Sequence, residues 1–269
     1  MQKFSMDSFR KFSDLIYRQF GIYYNETKKE ILQTKLNKLM SKHNIGSYEE
    51  CYGNLSMIGD KILFSDFANE ITVNYTSFFR EPVHFDFVRQ NAARLLEDKV
   101  KSFTDRELRI WSAACSTGEE PYTLAMVLRE ALPAGSGIRL LATDINKKVL
   151  SIAQQGLYSY DIENEIDKYF LDKYFHKTQE GYLISEDIRN MVSFRHFNLI
   201  DDFPFRNTFD MVFCRNVMIY FDAAVRQELV EKIQGILHPG GLLFIGHSES
   251  LAGHIHRFRC VQPAVYAKN

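Results

Sequence analysis

Leu108-Arg109-Ile110-Trp111-Ser112-Ala113-Ala114-Cys115-Ser116-Thr117-Gly118-Glu119-Glu120-Pro121-Tyr122 is the stretch that decides the fold. Leu108 to Ala113 is a short apolar strand, and Pro121 opens a helix to Leu132, since proline suits the first helical turn. The small residues between them let a backbone approach a ligand closely, or let strand and helix pack tightly. The same alternation continues downstream. Strands are expected at Arg139–Thr143, Met191–Phe197 and Phe209–Cys214, and helices at Lys147–Gln155 and Ala223–Leu237. A turn at Pro239-Gly240-Gly241 leads into a fifth strand, Leu242–Gly246. Strands alternating with helices predict an α/β fold with a doubly wound, mostly parallel sheet. Such a sheet takes its ligand at the carboxyl ends of its strands.

Upstream the texture is helical. Phe9, Phe12, Leu15, Ile16 and Phe20 follow the spacing of one buried helix face, and Gly21 stops it. A second helix, Thr27 to His43, turns Ile31, Leu32, Leu36, Leu39 and Met40 inward. Ser47 and Glu50 form a capping-box signature for a third helix. A fourth covers Gly59 to Glu70. The expected organisation is an N-terminal helical domain over 1–73, a linker and connecting helix over 74–100, and a catalytic domain over 101–269. A small antiparallel excursion, with a turn near Glu180-Gly181, interrupts the alternation at about 167–187.

Composition narrows the function. Apolar residues make up 45% and charged residues 25%, enough for a sizeable core, and the net charge of −1 gives no global field for nucleic acid. Cys51, Cys115, Cys214 and Cys260 are scattered without metal-ligand spacing, so no metal site is expected and a reducing, cytoplasmic setting is. No apolar run approaches the ~18 residues of a membrane span, and the amino terminus, Met1 to Phe9, lacks the apolar core of a signal peptide. No exposed apolar stripe demands a dimer, so a monomer is expected.

Asp144 ends the second strand, 26 positions after Gly118. It can accept both hydroxyls of a ribose, or cap the helix that follows. No Gly-Lys-Ser/Thr follows the first loop, which excludes a P-loop, and three dinucleotide-site glycines are missing. A nucleoside without phosphates remains, and S-adenosylmethionine is the common one.

Five segments carry a closer likeness. They are Asn74–Arg80 (NYTSFFR), Trp111–Tyr122 (WSAACSTGEEPY), Ala142–Ile145 (ATDI), Phe213–Asp222 (FCRNVMIYFD) and Gly246–Glu249 (GHSE). On these the chain resembles the CheR-type chemotaxis receptor methyltransferases over nearly its whole length. The resemblance implies a class I S-adenosylmethionine methyltransferase sheet and esterification of glutamate side chains on receptors, leaving S-adenosylhomocysteine. It implies that Asn74, Thr76 and Arg80 reach the cofactor from the joining segment. Glu120, rather than Glu119, would meet its amino-acid end, with Ala114 in the loop and Asp144 at the ribose. Asn198 and Leu199 would flank the adenine, Asn216 and Val217 the floor near the methyl group, and Tyr220 the sulfur. Phe78 and Phe79 read as packing between domains, Cys115 and Cys214 as buried small residues, and His247 as a structural hydrogen-bonding group.

The chemistry suits these residue types. A glutamate carboxylate, with a reference pKa of about 4.3, is already the nucleophile at neutral pH. The site must align it and strip its water. Arg80 can hold one carboxylate oxygen, and Tyr220 can steady the sulfonium or the carboxylate. The second helix, with Lys28, Lys29, Lys35, Lys38 and Lys42 against only Glu26 and Glu30, could meet an acidic receptor helix or be a solvated surface face. The resemblance implies that this amino-terminal region contributes to recognising the cytoplasmic helical region of a receptor. The turn Lys177–Gly181 looks too short to dock a receptor-tethered peptide. The alternatives are methylation of another carboxylate, or a non-catalytic regulator that binds the cofactor.

Overall fold

The computed structural model describes residues 4–57, 60–103 and 107–269. Gly59, expected to open the fourth helix, and Met1, Gln2 and Lys3 lie outside the described residues. Four helices come first: α1 (Met6–Phe20), α2 (Lys29–His43), α3 (Tyr48–Ser56) and α4 (Lys61–Ile71). Ser5 caps α1 by accepting from the Ser8 N–H, and Gly21 ends it in the left-handed region at φ 70°. The capping box at α3 forms with one change. Ser47 accepts from the Glu50 N–H, but Glu50 accepts from Gly46 rather than Ser47. Asp60 caps α4 through the N–H groups of Ile62 and Leu63. Phe12, Ile16, Leu32, Leu36 and Phe67 are fully buried in one apolar cluster shared by these helices. Truncating Phe67 to alanine there costs about 3–5 kcal/mol.

The helix α5 (Pro82–Phe103) then leads to β1 (Glu107–Ala113), α6 (Glu119–Ala131), β2 (Gly137–Asp144) and α7 (Lys147–Gln155). The excursion follows: β3 (Leu157–Tyr158), α8 (Lys168–Tyr174), β4 (Phe175–Lys177), β5 (Tyr182–Ile184) and α9 (Glu186–Arg189). The chain ends with β6 (Val192–His196), β7 (Phe209–Cys214), α10 (Ala223–Ile236), β8 (Leu237–Phe244), β9 (Phe258–Gln262) and β10 (Val265–Lys268). The main sheet runs β6-β2-β1-β7-β8-β10-β9, parallel from β6 to β8 and antiparallel through β10 and β9. From β1 the chain winds outward one way through β2 and β6, and then the other way from β7. The switch point therefore lies between β1 and β7.

Three readings of local sequence are corrected. The excursion begins at Leu157, not near 167; it is a three-stranded antiparallel sheet ordered β3-β5-β4, with a helix at Lys168–Tyr174. The Pro239-Gly240-Gly241 turn lies inside β8. Leu237 pairs with Phe209 and Leu242 with Met211, so residues 238–241 loop out of register. The hairpin β9–β10, which closes the sheet edge, had no expected counterpart. Ile31, expected inward, is 55% exposed.

The lysine-rich helix also differs from its sequence reading. Lys35 turns under α4, where its Nζ donates to the carbonyls of Glu70 (2.6 Å) and Ile71 (3.2 Å) at the helix's carboxyl end. Lys38 pairs with Glu70 at 2.9 Å and Lys42 with Asp66 at 2.7 Å. Lys38 and Lys42 therefore face an acidic stripe of α4, and Lys35 its carboxyl end, instead of standing free.

Candidate functional site

At the switch point, the carboxyl ends of β1 and β7 open into a cavity of about 260 Å³. That is near the lower end of small-molecule sites, roughly 300–1,000 Å³. Every residue expected at the cofactor or the methyl group lines it: Asn74, Thr76, Arg80, Ala114, Glu120, Asp144, Asn198, Leu199, Asn216, Val217 and Tyr220. They come from stretches far apart in the chain and meet because the strands end together.

The backbone is bent to make this wall. Ala114 (φ 63°), Ser116 (φ 50°) and Asn216 (φ 56°) all sit in the left-handed region, at about 1–3 kcal/mol each for a residue with a side chain. Gly118, at φ 97°, has no alternative: a Cβ there would stand 2.9 Å from the Ala153 Cβ. Asp144 holds the loop. Its Oδ2 accepts from the Ser116 N–H (2.9 Å) and its Oδ1 from the Asn146 N–H (2.8 Å). The cap of α7 is Asn146, not Asp144. Burial raises the Asp144 pKa although its main-chain bonds oppose that. Each Asp144 oxygen keeps a lone pair for a hydroxyl donor, which is what a ribose diol offers.

A second network lies behind the wall. Arg215, with only 2% of its side chain exposed, donates to Glu120 Oε2 (2.8 Å), to Glu81 Oε2 (3.0 Å) and to the Arg80 carbonyl (2.5 Å). Glu120 Oε1 accepts from the Ser112 hydroxyl at 2.7 Å. Glu119 instead bonds Thr117 and does not line the cavity, so Glu120 is the acid that faces it. Burial would raise the Glu81 pKa, but Arg215 and the N–H donors around it outweigh burial and lower it. Sequence reasoning gave Arg215 and Glu81 no role, although both sit inside or beside the quoted motifs.

Arg80 donates to the Tyr75 carbonyl at 2.9 Å and lies 5.3 Å from the Tyr75 ring centre. Burial raises the Tyr220 pKa, with the charge of Arg80 opposing it, so the phenol is protonated at neutral pH. Phe78 and Phe79 do pack, but against the small antiparallel sheet and α8. Phe78 meets Tyr158 and Phe175, and Phe79 meets Phe170. Burial pushes the Cys115 and Cys214 thiols well up, so neither is a nucleophile at neutral pH. His247 contributes its main-chain N–H, to Glu81 at 3.2 Å, rather than its ring. Ligand atoms of Glu81, His84 and His247 lie within 4.8 Å of one another. Glu81 Oε2 in that group is already paired with the Arg215 guanidinium at 3.0 Å.

The helical domain supplies a wall that sequence reasoning missed. Tyr23, Tyr24, Lys28, Ile31 and Lys35 line the cavity. The segment after α1 is stapled to the Tyr220 loop, since Ile22 bridges Phe221 and the Tyr23 N–H donates to the Tyr220 carbonyl at 2.9 Å. Tyr17 donates to Asp222 Oδ2 at 2.9 Å, and Asn198 Nδ2 to the Gln19 carbonyl at 2.9 Å. Asn198 is thus more than an ordinary loop residue. The aromatic pair directly after the Gly21 stop was the available signal.

Comparison with known proteins agrees with this architecture. Residues 7–72 match the CheR methyltransferase all-alpha domain, and residues 74–267 match the CheR methyltransferase SAM binding domain. The chain is 37% identical to the chemotaxis protein methyltransferase of Borreliella burgdorferi, over 98% of this chain and 94% of that one. It is 34% identical to that of Escherichia coli, over 96% of this chain and 90% of that one. It is likewise 34% identical to chemotaxis protein methyltransferase 2 of Pseudomonas aeruginosa, over 98% and 94%. A cavity at the switch point, an acid at the end of β2 and this likeness over nearly the whole length lead to one conclusion: the chain belongs to the CheR methyltransferase family and is an S-adenosylmethionine-dependent methyltransferase.

Proposed function

We propose that the enzyme esterifies glutamate side chains in the cytoplasmic helical region of chemotaxis receptors, working as a monomer in the cytoplasm. The observation that carries this reading is the meeting of Arg80 and Tyr220 in one cavity with Asp144 and Glu120. A cofactor end and a carboxylate end are then provided together. S-adenosylmethionine supplies a methyl group on a sulfonium. Asp144 would accept from its ribose and Glu120 would meet its ammonium, while Asn198 and Leu199 would flank the base. Asn74, Thr76, Ala114, Asn216 and Val217 complete the walls.

Arg80 then orients the glutamate carboxylate by one oxygen, leaving the other free to attack in line. Tyr220, protonated, can donate a hydrogen bond but cannot act as a base at neutral pH. No base is needed, because the carboxylate arrives deprotonated. The helical domain closes the cavity and excludes water, which strengthens the Arg80–carboxylate attraction. On α2, Lys35, Lys38 and Lys42 are engaged with α4, so Lys28, at the cavity, and neighbouring Lys29 carry the charge available to an acidic receptor helix. The short turn between β4 and β5 docks no receptor-tethered peptide, and a peptide complex seen by calorimetry would contradict that.

The test is transfer of labelled methyl from S-adenosylmethionine to a purified cytoplasmic receptor fragment, followed by mild base. Label that enters the protein and leaves as methanol supports carboxyl esterification. Intact cofactor binding without transfer to several receptor fragments would refute the receptor substrate.

A further inference from the structure

Glu249 is a half-buried acid that does not line the cavity. Its Oε2 accepts from the Gly246 N–H at 2.6 Å and from the Asn216 N–H at 2.9 Å, and its Oε1 from the Ile219 N–H at 3.3 Å. These donors belong to two places only: the end of β8, and the segment that leaves β7. That segment carries Asn216, Val217 and Tyr220, all of which line the cavity, whereas Glu249 does not. Asn216 sits in the left-handed region at φ 56°, which asparagine tolerates better than other non-glycine residues but which its neighbours still have to hold. A carboxylate that accepts its N–H is such a hold. Gly246 presses on the same turn from behind: a Cβ there would stand 2.4 Å from Asn216 Nδ2. On the other side, Asn216 Nδ2 donates to Glu81 Oε1 at 3.2 Å.

We propose that Glu249 is a positioning residue for methyl transfer, which holds the Asn216–Tyr220 segment in reacting geometry through main-chain N–H groups. The inference rests on the site reading above, in which Tyr220 stands at the methyl end. It deepens that reading by naming what fixes Tyr220 in place. Acceptor-only chemistry matters here. The second oxygen of a carboxylate can take another N–H, whereas a glutamine amide nitrogen would meet the same donors with hydrogens of its own.

The experiment is Glu249→Gln in the full chain, with Tyr220→Phe prepared in parallel. For each, kcat and KM for a receptor fragment, S-adenosylhomocysteine affinity by calorimetry, and Tm are measured. The expected result for Glu249→Gln is a fall in kcat of about 10- to 100-fold, the scale of a displacement near 1 Å at a reacting group. Product affinity should fall by a smaller factor, and the protein should remain folded at the assay temperature. Glu249→Asp, which keeps the charge on a shorter arm, should fall between the two. A kcat within twofold of the parent, whatever the Tm, would overturn the proposal. So would equal losses in kcat and product binding, which is the signature of partial unfolding. If Glu249→Gln does not fold, Glu249→Asp is judged by the same criteria. Unchanged kcat in Tyr220→Phe would sink the site reading itself, whereas unchanged kcat in Glu249→Gln alone sinks only this inference.

Discussion

Replacing Arg215 with glutamine should destabilise the protein strongly, and more at pH 8 than at pH 5. Its guanidinium bridges Glu120 at 2.8 Å and Glu81 at 3.0 Å, with 13% and 15% of those side chains exposed. Removing one partner of a buried ion pair costs about 3–5 kcal/mol, because a buried charge is left uncompensated. At 2–4 °C per kcal/mol for a chain of this size class, the expected fall in Tm is roughly 6–20 °C. The pH dependence follows from the sign of the shift. In the parent, Arg215 and neighbouring donors outweigh burial and hold the Glu81 pKa below its ordinary 4.5. That stability is present above 4.5 and is lost as the pH falls through the folded value. Without the guanidinium, burial raises the Glu81 carboxyl, the folded state binds more protons than the unfolded one, and stability rises on acidification. The gap in Tm between parent and variant should therefore narrow from pH 8 to pH 5, read by thermal denaturation in matched buffers. Adding Glu81→Gln to Arg215→Gln should recover part of the loss. A fall of under roughly 2 °C, well below that range, or a gap independent of pH, would refute the ion-pair account.

Three other outcomes are expected. Tyr220→Phe should lower kcat with little change in S-adenosylhomocysteine affinity, measured by initial rates and calorimetry, because the hydroxyl acts at the methyl end. Asp144→Asn should weaken cofactor binding by roughly 10- to 100-fold, the scale of a lost hydrogen bond to a charged group at about 1.5–3 kcal/mol; calorimetry checks it. His238 Nε2 donates to Asp210 Oδ1 at 2.8 Å, and that bond raises its pKa above 6.5 despite burial. Its contribution is full below pH 6.5 and is lost as the pH rises through the folded value, so His238→Gln should show a flatter Tm profile above pH 6.5 than the parent.

Much of the sheet was legible because its central strands are mostly apolar and end in small or acidic residues. Leu108–Ala113 and Phe209–Cys214 could be placed from the run alone, whereas the roles of the cavity residues at their ends came from the family resemblance. The β9–β10 hairpin was not legible. Its Phe258-Arg259-Cys260-Val261-Gln262 is exposed at three successive positions, so it shows no alternation to read. The lysines of α2 misled for a different reason. Lys35, Lys38 and Lys42 recur at one-turn spacing, as do Asp66 and Glu70 on α4, but charge counted along one helix ignores the stripe on its neighbour.

Ile31 exposes a further limit. It shares the periodicity of Leu32, Leu36, Leu39 and Met40, which placed it in the core, yet it is 55% exposed and lines the cavity. Periodicity records which side of a helix turns away from bulk water. It does not record whether protein or ligand fills the space on that side. Tyr23 and Tyr24, two aromatics shortly after the helix stop, belong to none of the quoted motifs and line the same cavity. A residue facing a ligand and a residue facing the core are under the same pressure to be apolar, so the pattern alone cannot separate them. What separates them is the neighbouring segment, here Tyr220–Phe221, paired to Ile22 and Tyr23 from a distant part of the chain. The helical domain's share of the site follows from that pairing, which no local window of sequence contains.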